Sequence, residues 1–153
     1  MTRPGWDAYY LGIARAVAAR ASCLRRRVGA VIVVDNAILA SGYNGTPIEV
    51  QNCDQGGCPR CASEAPVGAG YDACICVHAE QNAIAFAARH GNATKGGTLY
   101  TTLRPCFGCA KDAIQAGIRR IVYAENFEYQ SELEEVYRRL IEESGISLVA
   151  GPV

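Results

Sequence analysis

Two short stretches impose the tightest constraint on how this chain can fold. His78-Ala79-Glu80 opens one alanine-rich segment, and Pro105-Cys106-Phe107-Gly108-Cys109 opens another. Cysteines three apart at the start of a helix share a face, so Cys106 and Cys109 can aim both thiols at one point. A histidine from an adjacent helix completes three donors there, and the fold must therefore bring two helix starts together. Three protein ligands with an open fourth position are the pattern of a catalytic zinc, because the open place holds a water whose pKa the metal lowers toward neutrality. The helix N-termini add a modest stabilisation of the thiolates. Glu80, two residues beyond His78, points beside such a metal rather than onto it, where a carboxylate can take a proton from the water and pass it on.

Around these stretches the chain alternates between helical and extended patterns. Residues 6–20 place apolar groups at helical spacing. Val28–Val34 is a β-branched run, and Ala37–Gly42 follows an Asp-Asn turn, which together read as a hairpin. His78–His90 reads as a helix ending at Gly91, and Gly97–Leu103 as a strand. Pro105 opens a helix over Cys106–Ala116 that Gly117 closes. Arg119–Ala124 is a further strand, Ser131–Glu143 a helix with acidic residues in its first turn, and Ile146–Ala150 a last strand. Strand, helix, strand, helix, strand in succession implies a parallel portion of sheet with right-handed crossovers. With 153 residues, 50% of them hydrophobic, the chain has material for one core, so 1–153 is expected to be a single domain.

Between Tyr43 and Val77 the pattern dissolves into Gly, Pro, Asn and Cys, a loop longer than a compact domain carries without a reason. A metal is such a reason. Of eight cysteines, six lie outside the Cys106/Cys109 pair: Cys23, Cys53, Cys58, Cys61, Cys74 and Cys76. The first thirty residues lack the pattern of an export signal and no apolar run reaches the length of a membrane span, so a soluble, cytoplasmic chain with metal-binding rather than disulfide cysteines is expected. Four thiolates close one tetrahedral structural zinc. Six exceed one site, so either two are spectators or two zincs share ligands.

Lys plus Arg equals Asp plus Glu, 15 each, so the net charge gives no attraction toward a nucleic acid polymer, and a small substrate fits better. Arg25-Arg26-Arg27 reads as a solvated face. In the GYNGTP loop, Gly42 and Gly45 let the backbone turn, and Asn44 and Thr46 are candidates to meet a sugar or base, with a plain turn as the alternative. Tyr100, Thr101 and Thr102 end a strand near Cys106; Tyr100 and Thr102 are candidates to line a pocket, and packing explains them equally.

An H-x-E followed by P-C-x-x-C is the signature of zinc deaminases acting on nucleobases, in which the glutamate also serves the ring nitrogen and the departing amine. The chain resembles the cytidine and deoxycytidylate deaminase superfamily, most specifically its dCMP-acting branch. The matching stretches are RRRVGAVIV at 25–33, SGYNGTP at 41–47, NCDQGGCPRC at 52–61, CICVHAEQNAI at 74–84 and TLYTTLRPCFGCAKDAIQAGI at 98–118. They cover most of the chain between Cys23 and Tyr123.

The resemblance implies a three-layer α-β-α fold with a central mixed five-stranded sheet, a cysteine-rich metal-binding insert at about 43–77, and hydrolysis of dCMP to dUMP and ammonia for thymidylate synthesis. It implies His78, Cys106 and Cys109 as ligands of a catalytic zinc and Glu80 as proton shuttle. Cys23 and Cys53 match positions that bind a second zinc in part of the family, to be completed here by cysteines from the 58–76 region. It also implies a homohexamer activated by dCTP and inhibited by dTTP, with Asn44 and Gly45 as candidate effector contacts. Deaminases of cytidine, guanine or tRNA adenosine share the metal core and are the nearest rivals; a zinc-stabilised, non-catalytic binding module is the rival from another class.

Overall fold

A computed structural model of the chain describes residues 2–152. Its elements run α1 (Trp6–Ala18), β1 (Gly29–Val34), β2 (Ala37–Tyr43), α2 (Ala79–Arg89), β3 (Thr98–Leu103), α3 (Phe107–Gln115), β4 (Arg120–Glu125), α4 (Leu133–Ser144) and β5 (Ser147–Ala150). The strands form one mixed sheet in the order β2-β1-β3-β4-β5. β1 pairs antiparallel with β2 and β3, whereas β3, β4 and β5 run parallel, joined by α3 and α4 as the strand-helix alternation requires. This is the expected α-β-α architecture. None of the described helices is long and apolar enough to cross a membrane.

The β1–β2 hairpin turns at Asp35 and Asn36, both at positive φ, 51° and 60°. Two consecutive left-handed residues match the right-handed twist of the flanking strands, and Asp and Asn tolerate that conformation better than most residues.

Strand alternation divides the core into two. Val31, Val33, Tyr100 and Val122 meet Tyr10, Leu11 and Ala14 of α1 on one face. Ala30, Ile32, Leu99 and Ile121 meet Ala79, Ala83 and Ala87 of α2, together with Ala113 of α3, on the other. Three alanines four apart give α2 a flat stripe on which it lies close to β2. Gly42 makes that approach possible: a Cβ there would stand 2.3 Å from the Ala79 carbonyl and 2.4 Å from the Ala83 nitrogen. Asn82 then donates from Nδ2 to the Tyr43 carbonyl at 2.7 Å, pinning the start of α2 to the end of β2.

The 43–77 segment is tied at its base by a pair of main-chain bonds, Gly45 N–H to the Val77 carbonyl at 3.2 Å and Val77 N–H to the Gly45 carbonyl at 2.7 Å. Within it only two short 3-10 turns form, Cys53–Gln55 and Tyr71–Ala73.

Candidate active and metal-binding sites

His78 ends an extended segment at the start of α2, and Cys106 caps the start of α3. The geometry expected from the two spacings is present: His78 Nδ1 lies 3.4 Å from Cys106 Sγ and 3.3 Å from Cys109 Sγ. All three donor atoms fall within 4.8 Å of one another. Local bonds hold the helix starts. Cys106 Sγ accepts from the Cys109 N–H at 3.5 Å. Gln81 accepts from the His78 N–H at 3.2 Å and donates across to Asp112 of α3 at 3.1 Å, bracing one helix against the other.

Glu80 sits on the first turn of α2 beneath this trio and is 4% exposed. Its Oε1 accepts from Thr101 Oγ1 at 3.0 Å. Burial raises the pKa of Glu80, opposed by hydrogen bonds to its ionised form, including that from Thr101. The paired thiols behave asymmetrically. Hydrogen bonding from Cys109 is the largest influence holding Cys106 well below the ordinary thiol range, and the bond to Cys106 in turn pushes Cys109 up. Such a pair keeps one proton between two sulfurs, and a divalent cation beside both lets the second leave. One imidazole nitrogen and two thiols at these separations fit a tetrahedral zinc with one position open.

The structure moves two expected contacts to the other side of the sheet. Tyr100 faces α1, stacks near Tyr10 and donates its hydroxyl to Asp7 Oδ1 at 2.8 Å. Thr102 accepts from the Gly29 N–H at 3.1 Å. Successive strand residues point to opposite faces, so Thr101 between them is the one that reaches Glu80. The expectation that Tyr100 and Thr102 line the pocket is corrected accordingly. Asn44 is buried, accepts from the Val28 N–H at 2.8 Å and donates to the Arg26 carbonyl at 2.6 Å, which leaves one N–H and one lone pair for any ligand. Thr46 bonds within its own loop, to the Val50 carbonyl and Asn52, and both main-chain groups of Gly45 are taken by Val77.

A support for the Cys106 loop went unread in the sequence. Arg104 and Glu134 form a bidentate pair at 3.1 and 2.8 Å, with side chains only 6% and 11% exposed. Glu134 also accepts from the Tyr129 N–H at 2.9 Å, and the Tyr129 hydroxyl accepts from the Phe107 N–H at 2.7 Å, on the first residue of α3. Tyr137 donates to the Pro105 carbonyl at 2.8 Å. An arginine followed by Pro-Cys, with glutamate and tyrosine three apart on a later helix, is the only trace of this network in sequence.

At the insert, the thiol of Cys23, which precedes β1, gathers with those of Cys53, Cys61 and Cys76 within 4.8 Å, and those of Cys58, Cys74 and Cys76 do the same. Four thiols in that first group match a closed, structural zinc site. Arg25 orders the surrounding loop by donating to the carbonyls of Ala65 at 2.7 Å, Arg60 at 3.0 Å and Ser63 at 3.3 Å. The basic run is thus divided: Arg25 points inward, while Arg26 reaches an exposed pair with Glu125.

A mixed sheet with a His-Cys-Cys trio at two abutting helix starts and a buried glutamate beside it defines a class. The chain belongs to the cytidine and deoxycytidylate deaminase family, whose zinc-binding region model matches residues 4–125. It is 43% identical over 128 residues to deoxycytidylate deaminase of Mycobacterium phage D29, covering 80% of this chain and 97% of that one. It is 40% identical over 148 residues to deoxycytidylate deaminase of Schizosaccharomyces pombe, covering 95% of this chain but 44% of that one, so it spans less than half of the yeast relative. Among solved structures, the dCMP deaminase of cyanophage S-TIM5 in complex with dCMP and dUMP superposes with a TM-score of 0.75 at 27% identity, over 98% of this chain and 99% of that one.

Proposed function

We propose that this chain hydrolyses dCMP to dUMP and ammonia, as a single domain with His78, Cys106 and Cys109 holding a catalytic zinc. The observation that carries the reading is the buried Glu80 carboxyl set beside three zinc-type donors and oriented by Thr101. Zinc bound there supplies Lewis-acid activation of water. Glu80 is the group placed to accept the water's proton and to return protons to the ring nitrogen and the departing amine. Thr101 holds the carboxyl in that position, and burial keeps its pKa raised, which suits a residue that must carry a proton part of the time. The four-thiol group of Cys23, Cys53, Cys61 and Cys76 holds structural zinc in this reading and fixes the segment leading to His78.

Support for the substrate comes from the named activity of the phage and yeast relatives and from the nucleotides bound in the cyanophage enzyme. The balanced charge of the chain favours a mononucleotide over a nucleic acid polymer. The resemblance to the dCMP-acting branch further supports a cytoplasmic homohexamer with dCTP activation and dTTP inhibition, for which the GYNGTP loop is the place to look. Ammonia release from dCMP, CMP, deoxycytidine, cytidine and guanine tests the substrate, and a clear preference for dCMP is expected. Turnover of only an unphosphorylated base or nucleoside would move the assignment to another branch of the family. Sigmoidal dCMP kinetics shifted by dCTP and dTTP are expected of the regulated hexamer; hyperbolic kinetics insensitive to both would remove regulation and leave the chemistry in place.

A further inference from the structure

The five thiols of the insert and that of Cys23 divide into two groups that share a member. Cys76 belongs both with Cys23, Cys53 and Cys61 and with Cys58 and Cys74, and within each group every sulfur is within 4.8 Å of the others. Zinc–thiolate bonds of about 2.3 Å place the corners of a regular tetrahedron about 3.8 Å apart. The Cys23–Cys61 separation of 3.9 Å and the Cys58–Cys74 separation of 4.0 Å are close to that edge length in both groups. The first group supplies four corners. The second supplies three, and a fourth stands next to it: the Cys61 thiol interacts with Cys58 as well as with Cys23 and Cys53. Two tetrahedral ions require eight metal–sulfur bonds, and six thiolates provide eight when two of them bridge. Cys76 belongs to both groups, and Cys61, a member of the first, stands beside Cys58 of the second, so these two are the candidates to bridge.

We propose that the insert holds a binuclear zinc cluster, with Cys23 and Cys53 terminal on one ion, Cys58 and Cys74 terminal on the other, and Cys61 and Cys76 bridging them. The main chain is arranged for thiolates at both ends of this cluster. The Leu24 N–H donates to Cys53 Sγ at 3.4 Å. Further main-chain amides stand near the sulfurs, those of Arg25 and Arg26 beside Cys23, those of Cys61 and Ile75 beside Cys58, and that of Cys76 beside Cys74. A neutral thiol is a weak acceptor, so main-chain amides gathered around the fully buried Cys58, itself 4.0 Å from Cys74, suit a metal-bound thiolate rather than a spectator. Six thiolates around two dications leave a net negative charge. Arg60, 7% exposed and acting electrostatically on Cys74, lies on the side where the second ion would sit. The cluster is separate from the His78-Cys106-Cys109 trio, and the proposal does not depend on the substrate assignment.

Zinc counted by plasma mass spectrometry on the intact wild-type chain, purified from zinc-supplemented medium, is expected at three per chain, one catalytic and two in the insert. The double variant Cys58→Ser/Cys74→Ser is expected to fall to two, because the four-thiol group survives. In cadmium-113-substituted wild type, two strongly deshielded resonances are expected to split each other through the shared sulfurs. Two zincs in wild type, or two insert cadmium signals without mutual splitting, overturn the proposal. Both wild-type measurements stand even if the double variant fails to fold. A chain with three zincs that leaves dCMP untouched would overturn the proposed activity and leave the cluster intact.

Discussion

A carboxyl as enclosed as that of Glu80, with Thr101 as its hydroxyl partner, is held for a specific task, since an idle buried acid costs stability. Glu80→Gln keeps the shape and the Thr101 contact while removing the ability to carry a proton. The expected result is a fall in kcat on the order of 10²- to 10⁴-fold with zinc content unchanged, read from ammonia release and metal analysis on one preparation. Retained turnover would assign the proton transfer to another group. At this scale the sequence is informative where function depends on short spacing. His78 and Glu80 share one helix start and Cys106 and Cys109 another, so their relative directions follow from local backbone geometry alone. The sequence reading selects Tyr100 and Thr102 and passes over Thr101, because alternation names two faces but not which one meets α2.

Between elements, charge pairs that the sequence does not announce determine how helices dock. Glu134 of α4 is held below the usual carboxylate range chiefly by its bond to Arg104, and their pair braces the loop carrying Cys106 through Tyr129. Glu134→Ala leaves the Arg104 guanidinium buried without its partner. Removing one member of such a pair is expected to cost about 3–5 kcal/mol in urea unfolding. A loss under 1 kcal/mol would show the pair to be incidental. On the opposite face, Arg120 binds both oxygens of Asp7 at 2.8 and 2.7 Å, fastening α1 to β4. That bond is the main cause of a folded Asp7 pKa below its ordinary 3.8, so its contribution is present above that value and is lost as pH falls through the folded one. The melting-temperature gap between wild type and Asp7→Asn should therefore be larger near neutrality than at about pH 3, as scanning calorimetry would reveal. A gap unchanged across that range would remove the charge of Asp7 from the account. Arg104, Glu134, Asp7 and Arg120 carry no periodic signal, since each partner is distant in sequence and any exposed helix could offer similar charges. The boundaries of the helices and strands themselves were readable because Gly91 and Gly117 stop helices locally and β-branched runs mark β1.

At the scale of the whole molecule, metal is expected to divide stability between sheet and insert. Residues 44–76 have two short 3-10 turns and no named strand, so little besides thiol contacts and the carbonyls held by Arg25 organises them. Structural zinc sites in small domains contribute on the order of 10 kcal/mol of apparent binding free energy, far more than such a loop contributes alone. Stripping zinc with a strong chelator should abolish turnover and release amide protection in the insert first, while β1, β3 and β4 stay protected in hydrogen exchange. Readdition of zinc should restore both. An insert still protected without metal would show that the polypeptide alone holds it. The sequence by itself determined the alternation of elements, the parallel half of the sheet, the trio with its glutamate, and a cysteine-rich segment without regular structure between β2 and α2, because all of these rest on local spacing and composition. The tertiary structure alone decided which face of β3 meets Glu80, that Asn44 is bound to the main chain at Arg26 and Val28, that Arg104 and Glu134 support α3, and that Cys76 stands between two thiol groups. Those facts depend on how segments far apart in the chain are brought within bonding distance, and no pattern along one segment encodes that.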